Sequence, residues 1–180
     1  MGAFNKSAVT RIISDLKLFG GNQAMAEHWL SLWQGDALAS RTAFSPHGLE
    51  AYLPNLLLFD IVPDRKVTVR LAGTRYRRLL GRELQGIDWI ADAPQSHRAT
   101  RLHNLSSVAR GAILVARRRS TMRIGGENFN EEIVLPFAAG PDGVTAVLAH
   151  VIWPFDSLVT PESIVEIDPA TPNFKLISLH

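Results

Sequence analysis

The chain has 180 residues, 46% of them hydrophobic and 20% charged, with a formal net charge of +2. That composition suits one globular domain with a substantial core and excludes a disordered chain, and so small a net charge is not that of a dedicated nucleic-acid binder. With no cysteine, a disulfide scaffold, a thiolate-ligated zinc, an iron–sulfur cluster and a cysteine nucleophile are all excluded.

Residues 1–21, MGAFNKSAVTRIISDLKLFGG, hold no uninterrupted apolar stretch resembling a signal peptide. Lys6 stands where a myristoylation motif needs Ser or Thr. The longest apolar run, VTAVLAHVIWPF, is too short to cross a bilayer. The expectation is a cytoplasmic protein without membrane insertion, in which 1–21 is an N-terminal arm.

A helix is predicted in NQAMAEHWLSLWQG, with Gly35 placed to stop it. Met25, Trp29, Leu32 and Trp33 fall at i, i+4, i+7 and i+8 and form one apolar stripe. Two tryptophans are more apolar surface than a lone helix leaves wet. The helix at 22–34 is therefore expected either to make a homodimer through those four residues or to pack across the outer face of a sheet. A short helix is predicted over SPHGLEAYLPN, with Ser45 as N-cap, Pro46 at its first position, and Leu49, Tyr52 and Leu53 as its buried edge.

NLLLFDIV and VTVRLAG are strand-like and joined by the turn VPDRK, so they read as a β-hairpin. Alternation sets Val67, Val69 and Leu71 on one face and Thr68, Arg70 and Ala72 on the other. TRYRRLLG reads as a short helix capped by Thr74 and stopped by Gly81, with Tyr76, Leu79 and Leu80 inward and Arg75 and Arg78 outward. A longer helix is predicted at about 95–110, with Ala99, Leu102, Leu105 and Ala109 buried and His103 at the border. AILVARRRST, ENFNEEIVLPFA and DGVTAVLAHVIW then form a three-strand meander. The domain is expected over 22–153, and 154–180 is a proline-punctuated tail. A hairpin, helices and a meander make an α+β fold with one antiparallel sheet.

WLSLWQG, SRTAFSPHGLEAYLPNLLLFD, RLAGT at 70–74 and GRELQG at 81–86, in that order, resemble the proteobacterial PAS-like family of mostly single-domain proteins, over roughly 25–153. The resemblance implies a PAS-like five-stranded antiparallel sheet in the order 2-1-5-4-3, with helices on one face plus the N-terminal amphipathic helix. It also implies a sensory module, not an enzyme, that binds a small ligand or a partner protein and signals in trans. No particular cofactor follows from it.

The candidate ligand-binding residues are Arg70, Tyr76, Trp89, Arg98, Leu102 and His103. An arginine on a strand is costly unless paired, so Arg70 is expected either to bridge to Glu131 or Glu132 or to hold an anionic ligand. In ARRRST, Arg118 points opposite to Arg117 and Arg119, which argues against a nucleic-acid patch and for an edge strand guarded by cations. His103 as an axial haem ligand is one alternative, although no HxH or HExxH spacing marks a metal site. A second is an enzyme of the ketosteroid-isomerase-like cone fold, with Asp88 or Asp92 beside Trp89 as the base.

Overall fold

The structure is a computed structural model that describes residues 4–122, 127–152, 164–167 and 173–179. Its elements are α1 (Lys6–Asp15), α2 (Gly20–Ser31), β1 (Leu56–Val62), β2 (Lys66–Ala72), α3 (Thr74–Leu80), α4 (Gln95–Ala109), β3 (Ala112–Met122), β4 (Glu127–Ala139), β5 (Thr145–Ile152), β6 (Ile164–Ile167) and β7 (Asn173–Ser178). All seven strands join one sheet in the order β2-β1-β5-β4-β3-β6, with β7 also on β3. Every pairing is antiparallel. The order expected from the resemblance is present, extended by two strands from the C-terminal tail.

That extension corrects the reading of β3 as a guarded edge. β7 pairs with Ala112–Arg117 and β6 with Ser120–Met122, so β3 lies inside the sheet. The side chains of Arg118 and Arg119 lie outside those described. Residues 123–126, 153–163, 168–172 and 180 also lie outside the described residues.

Alternation along the strands gives the sheet two apolar faces. On the inner face, Leu57, Phe59, Val67, Val69, Leu114, Val134 and Val147 cluster with Tyr76 of α3 and Leu105 and Val108 of α4. On the outer face, Leu56, Leu58, Ile133, Leu135 and Leu148 cluster with Val9 and Ile13 of α1 and Met25 and Trp29 of α2. The arm therefore contains a helix, started by Asn5, whose side chain accepts from Ala8 N at 2.9 Å.

α2 packs across the outer sheet face. Met25 and Trp29 are fully buried and Trp33 nearly so, while Leu32 is half-buried against the same core. The chain's own sheet covers most of the stripe expected to face a second copy. Helical structure ends at Ser31, and Gly35 then takes the left-handed conformation (φ 59°) in a turn closed by a Gln34–Ala37 bridge.

Three local expectations are corrected. SPHGLEAYLPN forms no α-helix. Gly48 at φ 80° breaks it, and i to i+3 bonds carry the chain to a 3-10 turn at Leu53–Asn55. In β2, Leu58 pairs with Leu71 but Phe59 pairs with Val69, so Arg70 is the extra residue of a β-bulge. The bulge inverts the alternation and puts Leu71, 46% exposed, beside Leu58 on the outer face. In α3, Gly73 rather than Thr74 is the N-cap, and Leu80 is exposed where an inward side chain was expected. Gly81 does end α3, left-handed at φ 64°.

The glycine of RLAGT has a steric cause. A Cβ on Gly73 would lie 2.2 Å from the Leu53 carbonyl oxygen and 2.4 Å from that of Pro54. Gly73 N also donates to Leu56 O at 2.7 Å. The close approach sets the 53–55 turn against the β2–α3 junction.

Candidate functional site

On the outer face a polar chain runs through the core. The Glu131 carboxylate, fully buried in β4, receives Arg117 Nε at 2.8 Å, Phe19 N at 2.7 Å and Asn22 Nδ2 at 3.0 Å. Arg117 also donates to the Leu16 and Lys17 carbonyls that end α1. Glu131 meets the positive end of the α2 dipole, where the N-cap Phe19 has no side-chain acceptor of its own. Asn22 Oδ1 in turn lies 2.6 Å from His150 Nδ1. Because the Asn22 amide nitrogen faces the carboxylate, its oxygen accepts, and His150 carries its proton on Nδ1. Burial lowers the His150 pKa from 6.5 to about 4, with the Tyr52 backbone opposing that shift, so the ring is neutral. The chain thus ties both outer helices to β3, β4 and β5.

This pairing corrects the partner expected for Arg70. Arg117 and Glu131 are directly opposed in the β3–β4 ladder, and Glu131 is committed there. Arg70 bridges instead to Asp60 on the neighbouring strand, Nη1 to Oδ2 at 3.0 Å, with half of its side chain in water.

The structure brings some of the other candidate residues together around the 86–93 segment. That segment lies along the free edge of β2, with Val69 N donating to Ile87 O at 2.9 Å and Trp89 N to Val67 O at 2.8 Å. The half-buried Trp89 ring sits 5.8 Å from Phe59 and under the Arg101 guanidinium at 4.8 Å. Arg98 donates to the carbonyls of Ala93 at 2.9 Å and Ala91 at 2.7 Å, so it fastens the loop to α4. Tyr76 is buried in the inner cluster, and Leu102 packs against its margin. His103 is exposed on α4, the wrong orientation for an axial ligand inside the fold, and Ala99 is exposed as well. Among the described residues no group of three or more His, Cys, Asp or Glu side chains could hold a metal ion. Asp88 accepts from Ile90 N at 3.0 Å and Asp92 pairs with Arg82 at 2.5 Å, so both carboxylates hold the loop. Between sheet and α4, Phe59, Tyr76, Leu84, Leu105 and Val108 pack as one buried cluster.

A groove opens on the other face. α1 and α2 cover the β3–β5 part of the outer surface, and the irregular 40–55 segment roofs the β1–β2 end. A cavity of about 490 Å³ lies beneath it. Its floor is Leu56 and Leu58, its walls include Phe44, Leu53, Pro54 and Leu71, and Arg41 and Glu50 also border it. The size is within the range of small-molecule sites. The sequence reading missed it because 45–55 was assigned to a helix and Leu71 to the same face as Val67 and Val69. The usable signal was an apolar Phe44–Pro46 pair next to Arg41 in a stretch without helical period.

Residues 20–151 match the family model described as "PAS domain". Solved structures that match include "Structure of an RNA-binding Light-Oxygen-Voltage Receptor", with 18% identity and a TM-score of 0.38 over 62% of this chain and 33% of that one. No curated protein matches. No helix among the described residues is long and apolar enough to cross a membrane.

Proposed function

We propose that this chain, which belongs to the PAS domain family, is a cytoplasmic sensory module of the proteobacterial single-domain type that binds a small ligand or a partner protein and signals in trans, as a homodimer. Domains of this family are typically non-catalytic sensors. The RLAGT and GRELQG words support the single-domain assignment, and 22–153 is taken as the sensory unit.

The observation that carries the reading is the contrast between the two faces of the sheet. Side chains occupy the inner face around Phe59 and Tyr76, whereas the outer face has a groove with an apolar floor and polar residues at its border. The ligand site is accordingly placed in the outer groove. The Trp89–Arg98 stretch is the second position at which a ligand or partner acts in this reading, since bonds from Arg98 to the Ala91 and Ala93 carbonyls tie it to α4.

Native mass spectrometry of the purified protein, with an absorption spectrum, tests the proposal. One bound organic mass per protomer, in a dimeric complex and without a Soret or flavin band, is the expected result. A Soret band would return the haem reading, and a monomer carrying no ligand would contradict the sensory one.

A further inference from the structure

The groove on the outer face combines two features that together specify a ligand class. Its body is aliphatic and aromatic: Phe44, Leu53, Pro54, Leu56, Leu58 and Leu71. Its charged wall residue Arg41 has a buried Nε with no hydrogen-bond partner among the described residues. A guanidinium N–H removed from water without an acceptor is unfavourable, and a carboxylate is the acceptor whose planar geometry it matches.

Glu50, the other charged residue at the groove, has its own partners. It accepts from Gly48 N at 3.0 Å and lies 3.8 Å from His47 Nδ1. It leaves Arg41 uncompensated and sets a negative charge at the border that disfavours a second anionic group on the ligand.

Taking the sensory reading above as its basis, we propose that the outer-face groove binds a monocarboxylate with an apolar body, its carboxylate on Arg41 and its body over Leu56, Leu58 and Leu71. Specificity has two parts. Apolar surface sets the length of the body, and the arginine rejects neutral and cationic ends. Leu71 takes part only because the bulge at Arg70 turns it to the outer face, which gives the irregularity in β2 a role in binding.

Isothermal titration with decanoate and with decylammonium tests this on the full chain. The wild type should bind decanoate one to one and at least about tenfold more tightly than decylammonium, the ratio expected for one charge-assisted hydrogen-bonded pair. Arg41→Met keeps the apolar stem and should weaken decanoate by at least about the same factor. Leu71→Thr, which removes apolar surface without adding charge at a 46% exposed strand position, should weaken decanoate in the wild type and in Arg41→Met alike. Equal affinity for the two head groups, or Arg41→Met binding as tightly as wild type, would overturn the proposal. An organic mass retained in native mass spectrometry with no decanoate binding would overturn the ligand class and leave the sensory reading standing. Absence of both would remove the two together.

Discussion

The two faces of this sheet solve the same burial problem by different means. The inner face is closed mainly by apolar contact, from Phe59 and Val69 through Tyr76 to Leu105 and Val108. The outer face is partly apolar, but a polar chain from the half-exposed Arg117 through the buried Glu131 and Asn22 to His150 fixes its helices. Apolar packing tolerates small shifts, whereas a buried carboxylate needs each of its donors in place. The outer helices are therefore held in one position, and the 40–55 segment beside them, which carries no buried carboxylate and is fastened at Tyr52 and Asn55, leaves a groove. The difference assigns rigidity to one end of the outer face and ligand access to the other.

The comparison can be broken most strongly at Trp29, which is fully buried and donates to Pro136 O at 2.7 Å. Trp29→Ala should cost about 3–5 kcal/mol in urea unfolding. A loss below about 1 kcal/mol would show that α2 is not part of the core. Next is Arg117→Met, which leaves the Glu131 carboxylate buried without its cation. About 3 kcal/mol is expected, and the double variant Arg117→Met, Glu131→Gln should recover part of it. Additive losses would show that the pair does not act as one unit.

A pH series sharpens the same point. Because the folded pKa of His150 is about 4 against 6.5 ordinarily, the unfolded chain binds the extra proton. The contribution of His150 is complete above about pH 6.5 and is lost as the pH falls toward 4, by about 3 kcal/mol in all. His150→Gln should flatten that part of the stability profile, and a profile parallel to wild type from pH 7 to 4.5 would contradict it. The smallest effect is expected at Arg70. Its pair with Asp60 is half in water, so Arg70→Met should change stability by no more than about 0.5 kcal/mol. If the same variant abolished ligand binding, the site would lie at β2 in the way first expected of this residue.

The strand order followed only from the family resemblance, whereas the hairpin, α4 and the left-handed Gly81 were legible from alternation, turn chemistry and capping. These signals act over a few residues. The bulge at Arg70 was not legible, because one extra residue in a strand leaves the local pattern unchanged until the partner's register is known. The 45–55 segment carried helix-start signals at Ser45 and Pro46, but Gly48 and Pro54 outweighed them. The site was legible only in part. Trp89 and Arg98 do meet at one loop, while Arg41 and Leu71 lie thirty positions apart and come together only when the 53–55 turn docks at Gly73. The Arg117–Glu131 bond could have been found by aligning the β3–β4 hairpin. The link to Asn22 and His150 needed the tertiary fold.

Methyl-resolved NMR during a decanoate titration tests the central claim most directly, because it separates the two faces in one experiment. Shifts are expected at Leu53, Leu56, Leu58 and Leu71, with Leu105, Val108 and Val69 unmoved. Shifts confined to Leu102, Leu105 and Val108 would place the ligand between the sheet and α4 and contradict it.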